Sequence, residues 1–325
     1  MTRRPTLLRV DQARRVAPGP HSARAPGMTQ STFFRDLFFT SRDGLKLYGR
    51  HYPAKAASAR RPVLCLPGLT RNSRDFEPIA ETLSQSASAP RDVFTMDYRG
   101  RGLSEHDTDW RNYAVPVEMH DVIDFMTMTG LFNAGVIGTS RGGLITMVLA
   151  AAQPTRLGAV VLNDIGPVVE TDGLLRIAGY AGRTPLPKSW KDAGRIVRDL
   201  MRRDFPQLTD EDSETIARQL FNDRDGRPAP GYDNKLSKCL SVLDGPMPKL
   251  WAQFEALKHC PVLVIRGANS DLLSKATVEE MQKRHPRLLS AEVTGQGHAP
   301  LLADAPTVAT IEQFFAETDT TYARH

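Results

Sequence analysis

Cysteine is scarce, with Cys65, Cys239 and Cys260 the whole complement of a 325-residue chain. Their number is odd and none stands in Cys-x-x-Cys or Cys/His ligand spacing, which excludes a disulfide framework and a structural zinc site as organising devices. A reducing cytoplasm is the expected compartment. Long apolar runs are also missing. The longest predominantly apolar stretch, from Leu144 to Ala152, is far short of the roughly 20 residues that cross a bilayer, so no transmembrane helix is expected. Acidic residues are nearly absent from positions 1–27, where Arg3, Arg4, Arg9, Arg14, Arg15 and Arg24 face Asp11 alone and account for the whole net charge of +5. The rest of the chain is neutral, so the basic balance does not signal nucleic acid or an anionic membrane. Those 27 residues also lack the apolar core of a secretory signal. They read as a disordered extension, either ahead of a start at Met28 or as an organelle transit peptide.

With 41% apolar and 24% charged residues, the remainder has the composition of a globular chain. From Phe34 onward, short β-rich runs alternate with helix-patterned stretches, the pattern of an α/β sheet protein. Leu37 to Ser41 and Leu45 to Tyr52 form a hairpin about Asp43-Gly44. Further strands are expected over Pro62 to Leu66, Asp92 to Tyr98, Ala134 to Gly138, Leu157 to Asn163, Pro261 to Arg266 and Leu288 to Val293. The intervening helices fall at Phe76 to Ser84, Val117 to Thr129, Arg141 to Ala152, Thr277 to Arg284 and Ala305 to Phe315. Between Ile165 and about Lys258 the rhythm breaks. No β-rich run occurs there, and helical patterns such as Ala193 to Arg203 and Asp210 to Phe221 indicate an all-helical insertion.

The chemistry concentrates in Gly138-Thr139-Ser140-Arg141-Gly142, a Gly-x-Ser-x-Gly pattern between a predicted strand and a predicted helix. Glycines on both sides permit the sharp turn that presents the Ser140 hydroxyl, and the first N–H groups of the following helix face any anion formed beside it. A serine at its ordinary pKa needs a histidine base, and the base needs an orienting carboxylate. His298, in Gly295-Gln-Gly-His, follows the last strand. Asp271, in Gly267-Ala-Asn-Ser-Asp, follows the strand before it, and the order Ser140, Asp271, His298 is the one the pattern calls for. Asp164, at the end of Leu157 to Asn163, is the rival for the acid. An oxyanion hole needs two N–H donors, for which Arg141 and Leu69, in Pro67-Gly68-Leu69-Thr70, are the candidates. His51, His106, His120, His259 and His285 have no acid at motif spacing and read as surface or packing residues. No metal, nucleotide or flavin site is indicated, so no cofactor is expected.

Together, Leu64-Cys-Leu-Pro-Gly68, Asp97-Tyr-Arg-Gly-Arg-Gly-Leu-Ser104, Gly138 to Gly143, Gly267 to Asp271 and Gly295 to His298 resemble the α/β-hydrolase superfamily over about Phe34 to Phe315. The resemblance is nearest to the esterase, lactonase and carbon–carbon hydrolase branch with a helical cap. It implies a mostly parallel eight-stranded sheet, a core at 28–167 and 252–325, and a cap at 168–251 after the sixth strand. It also implies that the Asp97 to Ser104 turn is structural, with Arg99 bracing the loops. Many relatives carry His-Gly where this chain has Pro67-Gly68, a departure that keeps the Leu69 donor and removes a polar group. A serine at position 140 argues against the dehalogenase and epoxide-hydrolase branches, which use aspartate there. What the resemblance implies is hydrolysis of a small-molecule carboxylic ester or lactone. A diketone hydrolase or cofactor-free perhydrolase with the same triad, or a ligand-binding relative, is the alternative. Ile177, Tyr180, Trp190, Phe205, Phe221, Tyr232, Met247 and Trp251 read first as cap core and second as pocket wall. Arg71, just past the oxyanion loop, is either solvated or a contact for an acidic substrate group.

Overall fold

The alternating pattern closes into one eight-stranded sheet in the computed structural model, which describes residues 33–183, 185–241 and 248–322. The expected extension at 1–27 and Met247 lie outside the described residues. In chain order the core begins with β1 (Arg35–Thr40), β2 (Lys46–Tyr52), β3 (Val63–Leu66), α1 (Glu77–Gln85), β4 (Val93–Asp97) and α2 (Val115–Met128). It continues through β5 (Ala134–Thr139), α3 (Arg141–Ala152) and β6 (Leu157–Asn163). The insertion then carries α4 (Thr171–Tyr180), α5 (Trp190–Met201), α6 (Asp210–Leu220), β7 (Asn222–Arg224), β8 (Arg227–Ala229), α7 (Ser237–Ser241) and α8 (Trp251–Glu255). The core resumes with β9 (Val262–Gly267), α9 (Lys275–Arg284), β10 (Leu288–Val293) and α10 (Ala305–Tyr322).

The strand order is β1-β2-β4-β3-β5-β6-β9-β10, with β2 antiparallel to both β1 and β4 and the other neighbours parallel. The central strands β3, β4, β5 and β6 are apolar on both faces because both faces are covered. Residues of α2, α3 and α9 pack with one face, and residues of α1 and α10 with the other. Parallel strands bring their carboxyl ends to one edge of the sheet, and ligand sites of open α/β sheets form there. Ser140, Asp164 and the Gly267 to Asp271 loop all follow strand ends on that edge.

Two expectations need correction. The insertion is not all helical: β7 and β8 pair antiparallel about Asp225-Gly226, both at positive φ. Its strands, Asn-Asp-Arg and Arg-Pro-Ala, are too short and too polar to show an apolar alternation, so only the Asp-Gly dipeptide signals the turn. The last helix runs past Phe315 to Tyr322. Its final turns are held where Asp319 accepts hydrogen bonds from the fully buried Arg91 (2.9 Å) and from the Arg61 backbone N–H (3.2 Å). Within the insertion two helix starts are locally encoded. Ser189 caps α5, and Thr209 and Asp212 form a reciprocal capping box on α6, each cap contributing about 1 kcal/mol.

Candidate functional site

Ser140 sits between β5 and α3 at φ 51° and ψ −112°, a strained conformation for a residue with a Cβ. The strain is tolerated because close packing around it over-determines the turn. A Cβ on Gly142 would overlap the Leu66 carbonyl oxygen, and one on Gly143 would overlap Ile165. A Cβ on Gly138 would lie 2.8 Å from the Gly142 backbone. The backbone at Ser140 is pinned in turn, its N–H donating to Asn163 O (3.0 Å) and its carbonyl accepting from Gly143 N–H (2.9 Å).

His298 faces the serine from the loop after β10. Its Nε2 lies 2.8 Å from Ser140 Oγ, and its Nδ1 lies 2.8 Å from Asp164 Oδ2, with the His298 and Asp164 side chains 6% and 0% exposed. A carboxylate can only accept, so Nδ1 carries the hydrogen and Nε2 is left with a lone pair directed at the serine hydroxyl. Asp164 is itself fixed: Oδ1 accepts from Gly267 N–H (2.8 Å) and Oδ2 from Ser270 Oγ–H (2.6 Å). Its positive φ of 54° turns the side chain back over the sheet edge. Asn163 beside it donates from Nδ2 to Pro300 O (2.9 Å) and Thr139 Oγ1 (3.1 Å), tying the histidine loop to the ends of β5 and β6.

Asp271, the acid expected from chain order, is not brought to His298. Its carboxylate is taken by Arg176 of α4, with Nε donating to Oδ2 (2.7 Å) and Nη2 to Oδ1 (2.8 Å), and Arg203 stands 3.6 Å away. The Arg176 hydrogen bond holds the Asp271 carboxyl below its ordinary value. Arg176 also reaches Asp204 (3.0 Å), so one guanidinium joins the core loop to the insertion. Asp164, the rival acid, is the residue the structure sets against the histidine.

The loop after β3 turns at Gly68, whose carbonyl accepts from Arg71 N–H (3.2 Å). A Cβ on Gly68 would lie 3.9 Å from Ser140 Cβ, so this backbone runs alongside the serine, and Leu69 lines the same cavity as Ser140 and His298. Arg141, the other expected donor, opens α3 immediately after the serine.

Above these groups is a cavity of about 230 Å³. Insertion residues Ile177, Tyr180, Val197, Met201, Phe205 and Phe221 give it an apolar wall, and Leu301 and Leu302 close it beside the histidine loop. Of the aromatic and large apolar residues expected in the cap, Tyr232 also lines it. Trp190 instead packs on the α5 and α6 cluster, and Trp251 packs on the main core.

A family model described as the α/β-hydrolase fold matches residues 61–305. The chain belongs to the α/β-hydrolase fold family. Among similar proteins is the 3-hydroxybutyrate-oligomer hydrolase of Cupriavidus necator, 32% identical over 266 residues that cover 78% of this chain and 88% of the relative. The 2-(acetamidomethylene)succinate hydrolase of Mesorhizobium japonicum is 26% identical, over 73% of this chain and 81% of that one. An α/β hydrolase of known structure from Novosphingobium aromaticivorans superposes with a TM-score of 0.81 at 36% identity, covering 88% of this chain and 99% of its own.

Other residues singled out by sequence find their places in this α/β-hydrolase. Arg99 is buried and shared among Asp43, Asp107 and Asp121, with contacts of 2.6 to 2.7 Å, which fixes the turn after β4. Asp97 carries that brace to the neighbouring loop by accepting from Ser73 N–H (2.7 Å) and Leu103 N–H (2.8 Å). Arg71 faces the cavity but is held by Asp75 through two hydrogen bonds of 2.6 and 2.7 Å. His51 does have an acid neighbour, Asp92 at 2.7 Å, but at the amino end of β4, away from the serine. Arg176, Asp204 and Asn163 had no sequence signal, since each acts through partners far along the chain. No described helix is long and apolar enough to cross a membrane, and the described residues hold no metal-binding group of three or more His, Cys, Asp or Glu.

Proposed function

We propose that the chain is a serine hydrolase that cleaves carboxylic esters through an acyl-enzyme on Ser140. The observation that carries this reading is the continuous relay Ser140 Oγ, His298 Nε2, His298 Nδ1 and Asp164 Oδ2, with both steps at 2.8 Å. As Ser140 Oγ attacks the ester carbonyl, its proton passes to His298 Nε2. Asp164 stays ionised and stabilises the imidazolium. The carbonyl oxygen becomes an oxyanion that accepts from the backbone N–H groups of Leu69 and Arg141, the second of which opens α3 directly after the strained turn. Collapse of the tetrahedral adduct returns the proton from Nε2 to the leaving alkoxide. Water then attacks the acyl-enzyme with His298 again as base, and the acid is released.

The insertion, taken as a cap over 168–251, sets the substrate class. Its apolar wall favours an acyl or hydroxyacyl group of modest length, and the similarity to a 3-hydroxybutyrate-oligomer hydrolase makes short oligoesters of hydroxy acids the substrates to try first. The test is stoichiometric labelling by a fluorophosphonate probe in wild type and Ser140→Ala. Turnover of p-nitrophenyl butyrate and of 3-hydroxybutyrate dimer and trimer is measured alongside. Labelling and turnover that vanish together in the variant are expected. Folded wild-type protein that takes no label overturns the reading.

A further inference from the structure

Three charged side chains, two of them fully buried, connect the two proposed oxyanion donors from behind. Arg101, in the turn after β4, donates from Nε to the Leu69 carbonyl (2.8 Å) and from Nη1 to the Arg99 carbonyl (2.7 Å). The same Nη1 pairs with Glu118 Oε1 on α2 at 2.6 Å, both side chains 0% exposed. The other oxygen, Glu118 Oε2, accepts from Arg141 Nε (2.7 Å), and Arg141 Nη2 donates to the Tyr113 carbonyl (2.8 Å). The chain of contacts therefore runs from Leu69 through Arg101 and Glu118 to Arg141, whose backbone follows the nucleophile.

The insertion is hydrogen-bonded to the turn that carries Arg101. Gly231 O accepts from Gly102 N–H (2.8 Å), Gly100 O accepts from Asp233 N–H (2.8 Å), and Arg101 bridges to Tyr232. Burial alone pushes the Glu118 carboxyl up, but Arg101 and Arg141 outweigh it and hold it below its ordinary value, so it stays a carboxylate. Removing water from three charges is costly, and replacing buried ion networks by apolar packing is often neutral for stability. A scaffold role alone gives no reason for both ends of the network to fall on the two backbone donors.

We infer that Arg101 and Glu118 are positioning residues that fix the spacing of the Leu69 and Arg141 N–H groups for the transition-state oxyanion. The peptides on both sides of Leu69 are held, since Gly68 O, in the same peptide as the Leu69 N–H, is taken by Arg71 N–H, and Leu69 O, in the next peptide, by Arg101. Arg141 is held at its side chain, which steadies the first turn of α3. Donors set in advance cost no reorganisation when charge develops, and loss of a single one typically lowers kcat by about 100- to 1,000-fold. Loosening both donors without removing either is expected to give a smaller loss.

The inference rests on Ser140 being the nucleophile, so fluorophosphonate labelling of the wild type comes first, and failure there removes the functional reading itself. Given a labelled wild type, Glu118→Gln and Arg101→Lys are compared with it by kcat and KM on p-nitrophenyl butyrate. Affinity for a trifluoromethyl ketone, to which Ser140 adds to give an oxyanion adduct, is measured beside affinity for butyramide, which binds as an uncharged ground-state mimic. Arg141→Gln, at a position that is 13% exposed, takes the place of any variant that does not fold. Expected is a fall in kcat of roughly ten- to a hundred-fold with KM within about twofold, matched by the same loss of ketone affinity and none for butyramide. A folded variant with wild-type kcat and an unchanged ratio of ketone to butyramide affinity overturns the inference, whatever its melting temperature.

Discussion

Exchanging the two candidate acids for asparagine separates their roles by orders of magnitude. In Asp164→Asn the new side chain fills the same volume and can still accept from Gly267 N–H through its carbonyl oxygen. Its amide would donate, however, where Asp164 accepts from His298 Nδ1 at 2.8 Å. The imidazole hydrogen would then be forced onto Nε2, the atom 2.8 Å from Ser140 Oγ, and the base could not take the serine proton. Loss of the orienting carboxylate in a serine triad lowers kcat by about 10⁴-fold, or about 5 kcal/mol of transition-state stabilisation. Asp271→Asn leaves the relay intact and weakens a partly exposed pair with Arg176, worth at most about 1 kcal/mol, so its kcat should fall by less than about tenfold. Steady-state kinetics on p-nitrophenyl butyrate, corrected for active sites by fluorophosphonate titration, gives both numbers. Equal losses in the two variants, or a larger one in Asp271→Asn, would refute the reasoning.

Further outcomes follow from the same geometry. Gly142→Ala sets a methyl against the Leu66 carbonyl, in main chain that cannot move, and should cost about 3 kcal/mol or more in urea denaturation. Gly68→Ala meets only ordinary contacts, the nearest Arg71 Cγ at 3.4 Å, so its midpoint should match wild type. Because Asp271 has its folded pKa depressed by Arg176, its ion pair contributes stability above the ordinary value of 3.8 and loses it as pH falls through the lower folded value. The stability gap between wild type and Asp271→Asn should therefore be widest near pH 7 and narrow below pH 4, and a gap that stays constant would count against the pair. Finally, kcat/KM on p-nitrophenyl esters should rise by up to about fourfold per added methylene, at about 0.8 kcal/mol each, until the 230 Å³ cavity is full, and then drop. Phe221→Ala should move the optimum to longer chains.

Ser140 and His298, the proposed nucleophile and base, were legible in the sequence because local chemistry marks them. Glycines flank Ser140 where only a residue without a side chain fits against Leu66, and His298 lies in a glycine-rich loop after the last strand. The sheet was legible for a similar reason, since β3, β4, β5 and β6 are mostly apolar along their length. The acid was not. Asp164 and Asp271 follow the ends of adjacent parallel strands, so residue type and chain order admit either one. The choice is made by a positive φ at Asp164 and by Arg176, which captures Asp271 from a helix in the insertion. Neither leaves a local trace. The same holds for the contact of Arg101 with Leu69, which joins two loops through a side chain that sequence alone places only in a glycine-rich turn.

Asp164 directly follows β6, a little ahead of the insertion, and His298 is reached only after the chain has returned. The proposed nucleophile and acid thus flank one α3-β6 unit, and the insertion falls in the chain between the proposed acid and base. An exchange of modules from another member of the fold would leave the Ser140 to Asp164 spacing untouched. It would have to preserve the seam between insertion and core, which includes Arg176 on Asp271, Arg74 on Gln219 O and Asn222, Glu170 N–H on Leu272 O, Leu250 N–H on Pro167 O, and the pairings of Gly231 and Asp233 with Gly102 and Gly100. Chimeras built across that seam could change which ester is taken while keeping the machinery that cleaves it.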